Sequence, residues 1–230
     1  MSEKINVLDV EINELTAKEA LRESIRYMES EPVNIIEMVT VDSLMQLSSV
    51  QNLIEDVRYF DLMLAGDKTI LEAADVTERK ILQETENGTY LKLFIRYLHK
   101  NHKRVYLLVE SEEEGENLYQ YLEERYSGIQ IAGLAKVSAN DRADDMLVND
   151  INGSEVDCVL SALSAPLQEE FIVKNKGVLN ARVWLGLGRG TLPMKGQSTG
   201  RGRLTRFVEK HIFKKEIEKR KRIDQICAVK

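Results

Sequence analysis

Seven short apolar runs, at 5–12, 33–41, 61–65, 103–110, 129–137, 156–163 and 181–187, alternate along this 230-residue chain with seven stretches of helical periodicity, at 16–30, 43–58, 69–83, 89–101, 112–126, 139–151 and 167–179. That alternation restricts the fold more than any other feature. Strands joined by helix-length crossovers run parallel, and a parallel sheet must be covered on both faces because its strands have no polar side to give to water. The expected architecture is therefore α/β, a Rossmann-like doubly wound, mostly parallel sheet with helices on both faces. The first helix carries its own start signal. Thr16 and Glu19 have the spacing of a capping box, and Ala20, Leu21, Ile25 and Met28 follow as an apolar stripe.

With 43% hydrophobic residues, the chain can bury one substantial core. The reading is a single domain over 1–200, made of lobes at 1–102 and 103–200, followed by a separate C-terminal appendage over 201–230. Charge supports that division. The net charge is −6, yet residues 201–230 hold 11 Lys+Arg against 4 Asp+Glu, a net of +7 that leaves −13 for the first 200 residues. So acidic a body argues against nucleic acid as a partner and gives the tail a job of its own. Leu204, Phe207, Val208, Ile212, Phe213 and Ile217 recur among the tail's basic residues at near-helical spacing. This is the pattern of an amphipathic helix that lies on anionic lipid or, equally, packs on the acidic body. Six glycines between 186 and 202 place a loop or hinge before it.

Cys158, in a strand-like run, and Cys227, in the tail, have no spacing for a disulfide framework or a zinc site, and the histidines at 99, 102 and 211 form no cluster with them. No metal centre and no cofactor is expected. Such cysteine usage fits a reducing, cytoplasmic setting. No apolar run approaches the ~20 residues that span a bilayer, so membrane contact is expected to be peripheral, at the inner face. The Gly186-Leu-Gly188 string is too short for a dinucleotide fingerprint, and nothing suggests a Ser/His/Asp triad.

Ligand-handling groups of an open α/β sheet gather beyond the carboxyl ends of its strands. Three segments fall there: Val39-Thr-Val-Asp42, Asp61-Leu-Met-Leu-Ala-Gly-Asp67 and Ser164-Ala-Pro-Leu-Gln-Glu169. Each permits a plain structural reading beside a chemical one. Thr40 either offers a hydroxyl to the crevice or fills a strand position. Asp67 is either a general base or the cap of a helix beginning at Thr69. Pro166 and Glu169 suit any helix start, whereas Gln168 is not required by one.

The same segments, in the same order, resemble the WecG/TagA/CpsF glycosyltransferases over residues 5–192. Pro166, Gln168 and Glu169 match the family's Gly-Ser-Pro-x-Gln-Glu motif, with Ser164 where the family has its first Gly. Residues 5–13 and 15–20 look like its opening strand and helix, Thr40 and Asp42 like its Thr-Pro-Asn, and 61–67 like its Asp-Leu-Val-Leu-Pro-Asp. Gly88 is what remains of Arg-Val-x-Gly-x-Asp, and Gly186 and Gly188 fit Gly-Val-Gly-Gly-x-Phe-Asp.

The resemblance implies a hexosyltransferase of cell-surface polysaccharide synthesis, moving a sugar from a UDP-sugar to a lipid-linked acceptor at an anionic membrane surface without metal. Thr40, Asp67 and Gln168 are then the catalytic candidates, with Asp67 or Thr40 helping the acceptor hydroxyl attack the anomeric carbon. Gln168 and basic groups would stabilise the departing diphosphate. Asp42, Gly88, Pro166, Glu169, Gly186, Gly188 and Arg189 are the substrate-binding candidates, and Arg201, Arg203 and Arg206 would meet the membrane or the diphosphate.

Departures from the family pattern favour a rival reading, an inactive relative acting as a binding or scaffold module. Asp42 replaces an Asn, Thr85 the motif Arg and Tyr90 the motif Asp; Leu192 replaces a further Asp, and a gapless alignment sets Gly66 at the acidic position. Glu110-Ser-Glu-Glu-Glu-Gly-Glu116 stands where the family has a Gly-Gly loop. A homo-oligomer stays open on either reading.

Overall fold

The computed structural model describes residues 3–139, 143–188 and 210–222. The chain opens with a hairpin, β1 (Lys4–Val7) and β2 (Val10–Asn13), followed by α1 (Ala17–Tyr27), β3 (Asn34–Val39), α2 (Val41–Leu47), α3 (Gln51–Val57) and β4 (Leu62–Ala65). Next come α4 (Lys68–Ala73), α5 (Arg79–Glu86), α6 (Thr89–Lys100), β5 (Arg104–Val109), α7 (Glu112–Arg125) and β6 (Gln130–Lys136). It continues with α8 (Asp144–Gly153), β7 (Cys158–Ser161), α9 (Leu167–Asn175) and β8 (Val183–Gly186). A last helix, α10, covers 210–222.

Six strands form one parallel sheet in the order β4-β3-β8-β7-β5-β6. This is the doubly wound α/β architecture that the alternation predicts. Side chains alternate across each strand, so the sheet has two separately packed faces. On one, Ile36, Met38, Leu107, Leu160 and Leu185 pack under α1, α6 and α7; on the other, Ile35, Val39, Leu108, Val159 and Trp184 pack under α2, α3, α8 and α9. The β5 connection leaves toward β6, whereas the β7 connection leaves the other way, toward β8. The crevice between their carboxyl ends is thus a switch point of the topology, where open sheets take ligands. Ser164 N–H closes it by donating to the Glu110 carboxylate.

Three local expectations need correction. The run 5–12 is a two-stranded antiparallel hairpin, because Leu8 and Asp9 take left-handed backbone conformations with φ of 53° and 68° and turn the chain back. The stretch 43–58 is two helices, interrupted where Ser48 caps α2 and the chain restarts from Val50. The stretch 69–83 is likewise two, broken after α4 where Asp75 is left-handed at φ 60°. The capping box at Thr16 and Glu19 is present as expected.

Helix α10 packs on the body. Phe213 is fully buried on the α9 side of the sheet, Ile217 packs partly beside it, and Lys210 pairs with Asp67 at 3.0 Å. Arg220 pairs with Asp9 and Lys221 with Asp75. Exposed pairs of this sort each contribute less than ~1 kcal/mol, whereas burying a Phe contributes about 2–3 kcal/mol, so the aromatic is the anchor. Phe213→Ala is expected to release the helix while the sheet stays folded. Limited proteolysis should then cut within 210–222 far faster than in the parent, and an unchanged cleavage rate would count against this anchoring.

Candidate active site at the carboxyl edge of the sheet

Thr40 and Asp67 follow two neighbouring strands whose last residues, Val39 and Ala65, lie opposite each other in register. Both are helix caps. The Thr40 hydroxyl accepts from Ser43 N–H at 3.1 Å, and Ser43 Oγ accepts in return from Thr40 N–H at 2.8 Å. Asp67 accepts from Thr69 N–H at 2.8 Å and faces Lys210 of α10. Partial burial pushes the Asp67 carboxyl up, but the hydrogen bonds from Thr69 and the Lys210 ammonium outweigh it and hold the group below its ordinary value. Asp67 is therefore a carboxylate under working conditions. Asp42, in the first turn of α2, is half-buried.

Gln168 lies one rung deeper, on the face covered by α9. The strands bring Glu37, Gly186 and Ser161 side by side on their register, Glu37 opposite Gly186 and Gly186 opposite Ser161. All three point into the same face by the alternation that sends Ile35, Val39 and Trp184 there. Over this polar row sits the first turn of α9, with Gln168 and Glu169 both buried. Gln168 Nε2 donates to Glu37 Oε1 at 2.5 Å. Gly186 makes that contact sterically feasible, since a Cβ there would come within 2.0 Å of Glu37 Oε2 and 2.6 Å of Gln168 Nε2.

Among the described residues, Glu37 Oε2, Gln168 Oε1, Ser161 Oγ, Trp184 Nε1 and both side-chain oxygens of Glu169 are buried with no hydrogen bond to another residue. Burial raises the Glu37 carboxyl well above its ordinary value, and neighbouring Glu169 adds to the rise against the opposing Gln168 hydrogen bond. Burial likewise pushes Glu169 up to about 7, against its own main-chain N–H and helped by Glu170. Two carboxyls that leave water with no cation beside them among the described residues take up protons instead.

The remaining expected residues are dispersed. Pro166 is the first-turn boundary of α9, and Gly188 has φ 63° just beyond β8. Gly88 is left-handed at the start of α6 and lines a narrow cleft with Leu15, Leu64, Thr85 and Tyr90. That cleft opens on the α6 side of the sheet, away from Gln168. Arg189, Arg201, Arg203 and Arg206 lie outside the described residues. Glu110 is spent on Ser164 N–H, and Glu112, Glu113 and Glu114 occupy the first turn of α7 under the Ser111 cap. Among the described residues, no group of three or more His, Cys, Asp or Glu is placed to hold a metal.

Glu37 is the residue that reading the sequence missed. Its signal is a single charge inside Asn34-Ile-Ile-Glu-Met-Val39, a strand buried on both faces, where a charge is costly unless it has a task.

The profile of the glycosyl transferase WecG/TagA/CpsF family matches residues 5–194, which run from within β1 through β8. The chain belongs to this family. A relative from Staphylococcus aureus (strain MRSA252), named N-acetylglucosaminyldiphosphoundecaprenol N-acetyl-beta-D-mannosaminyltransferase, is 20% identical over 187 residues, covering 80% of this chain and 73% of the relative. The WecG/TagA/CpsF assignment makes the protein a glycosyltransferase by family. It also gives the carboxyl-edge placement of Thr40 and Asp67 a chemical context that two helix caps lack by themselves.

Proposed function

We propose that this WecG/TagA/CpsF member transfers a hexosyl group from a UDP-sugar to a lipid-linked acceptor in the synthesis of a cell-surface polysaccharide, without a metal. The observation that carries the reading is the pair Thr40 and Asp67 at adjacent strand ends, with Asp67 kept ionised. In the reaction, Asp67 takes the proton of the acceptor hydroxyl as its oxygen bonds to the anomeric carbon, and the bond from that carbon to the UDP oxygen breaks. Thr40 orients the hydroxyl. UDP leaves with the electron pair, and basic groups of the tail neutralise it.

The test is turnover with a panel of UDP-hexoses and UDP-N-acetylhexosamines and a short-chain lipid diphosphate carrying one sugar, in buffer with chelator. Turnover is expected to survive the chelator and to fall by roughly 10²- to 10⁴-fold in Asp67→Ala, the range of a lost general base. Loss of turnover on chelation removes the metal-free mechanism. UDP-sugar binding without turnover selects the scaffold reading, which is favoured by the engagement of both Thr40 and Asp67 as helix caps. The absence of both binding and turnover removes either role.

Among the described residues no helix is long and apolar enough to cross a membrane. Attachment to lipid is proposed to use the exposed basic side of α10, where Lys214, Lys215 and Lys219 face solvent while Phe213 faces the body. Each basic residue near an anionic surface contributes ~1 kcal/mol at low salt. The triple change K214E/K215E/K219E is expected to abolish co-sedimentation with phosphatidylglycerol vesicles. Binding equal to that of the parent would leave α10 as a packing element alone.

A further inference from the structure

β6 is the outermost strand of the sheet, at the edge opposite β4, and among the described residues no strand pairs with its outer side. Edges of this kind are commonly blunted by charge, proline or shortness. This one runs for seven residues, Gln-Ile-Ala-Gly-Leu-Ala-Lys, and its one charge is Lys136 at the last position, paired with Glu112 at 3.2 Å. The ladder with β5 slips by one residue at Ala132, so 133–136 is the regular stretch. Beside it, α7 presents Glu112, Glu116, Tyr119 and Glu123 along one stripe. Leu134 lies across Gly115 of this helix, where an added Cβ would come within 3.2 Å of it.

Tyr119, Leu134 and Gly115 thereby line an apolar groove between strand and helix, which Glu112 and Glu116 also line. Tyr119 is 47% exposed and Leu134 42%. A single apolar side chain in solvent needs no explanation, but two sharing a groove beside an open sheet edge do. The field around them is negative, since α7 carries six Glu against one Arg.

We propose that this edge is a docking surface for an extended, basic peptide segment of a partner protein, in which an apolar residue is flanked two positions away on each side by Lys or Arg. A chain laid along β6 donates to and accepts from its open main-chain groups, and alternate side chains turn toward α7. Residues two apart in a strand are separated by about 6.6 Å, and Glu116, Tyr119 and Glu123 are spaced by about 4.5 and 6 Å along the helix, a difference that Lys and Arg side chains span. The apolar residue then meets Tyr119 and Leu134, and its basic neighbours meet Glu116 and Glu123. A second copy of the chain fits less well, because an isologous contact sets the stripe against itself, acid against acid. The surface is separate from Thr40 and Asp67, which follow β3 and β4 at the other side of the sheet.

The test uses the full chain and two labelled peptides of one composition. Thr-Lys-Thr-Val-Thr-Lys-Thr puts both Lys on the same strand face as Val and reads alike in either direction; Thr-Thr-Lys-Val-Lys-Thr-Thr puts them on the opposite face. Fluorescence anisotropy gives the affinities, and amide hydrogen exchange over 130–136 reports strand pairing. The first peptide is expected to bind roughly tenfold or more tightly than the second and to slow exchange in 133–136 by a similar factor. Tyr119→Ser and the double change E116K/E123K should each weaken that binding roughly tenfold or more.

Equal affinity for the two peptides overturns the inference, because it shows attraction to an acidic helix without a strand register. Failure of the first peptide to bind by about 1 mM overturns it too, as does binding that leaves exchange in β6 unchanged. Sedimentation of the parent gives the remaining outcome. A dimer that Leu134→Lys dissolves assigns the edge to a second copy and removes the basic partner. The peptide comparison is made on the parent chain, so it decides the matter even where a variant fails to fold.

Discussion

Stability is expected to fall as pH rises from about 5 to about 8, and Glu169→Gln should remove most of that fall. The cause is the buried pair Glu37 and Glu169. Glu169 has its folded-state value raised to about 7 from an ordinary 4.5, chiefly by burial. A carboxyl raised by folding is held more tightly in its protonated form, so the folded state binds more protons than the unfolded one between the two values. The contribution is complete below the unfolded value, near 4.5, and is lost as pH climbs through about 7. Each pH unit of mismatch is worth about 1.4 kcal/mol, so the loss between about pH 5 and pH 8 is roughly 2–3 kcal/mol. For a chain of this size that corresponds to roughly 5–10 °C in Tm.

Gln at 169 is neutral at every pH and close to isosteric. The variant should match the parent near pH 5 and exceed it at pH 8, by calorimetry or by urea unfolding. Parallel stability profiles for parent and variant would show that the pair is ionised and compensated by a cation, which would reverse the electrostatics of the site. Glu37 moves in the same direction, so Glu37→Gln should flatten the profile further.

The two halves of this pair differ in how visible they are from sequence. Glu169 stands inside a motif, three residues after Pro166, at a helix start that composition alone suggests. Glu37 has no local partner, and its meaning depends on Gln168 and Gly186, which reach it only once β8 inserts beside β3. The parallel sheet was legible because crossover lengths and apolar runs are properties of contiguous sequence. The hairpin was not, since its turn puts Leu8 and Asp9, and no glycine, in left-handed backbone, so the run 5–12 carries no punctuation. The same holds for the breaks in 43–58 and 69–83, which contain no Pro or Gly. Thr40 and Asp67 could be placed at strand ends from the pattern, yet that Asp67 would face Lys210, 143 residues away, is a matter of how the tail docks.

Gly186→Ala is expected to be among the most damaging single-methyl additions to this protein. The new Cβ would lie 2.0 Å from Glu37 Oε2 and 2.6 Å from both Glu37 Cδ and Gln168 Nε2, far inside van der Waals contact. Neither side chain has room to retreat, since Glu37 and Gln168 are buried between the sheet and α9. Overpacking of this kind costs about 1–3 kcal/mol, occasionally more, and here it also breaks the 2.5 Å hydrogen bond whose loss orphans two buried polar groups. A total near 4 kcal/mol, or roughly 8–16 °C in Tm, is expected.

The cause can be isolated by a double-mutant cycle with Glu37→Ala. Once Glu37 is shortened, the nearest atom left is the end of the Gln168 side chain, and the same Gly186→Ala change should cost under ~1 kcal/mol. A coupling of roughly 2–3 kcal/mol between positions 37 and 186 would establish that the glycine exists to admit the carboxyl. Additive effects would mean that Gly186 is required by its own backbone, and that β3 and α9 meet at this rung without dependence on each other.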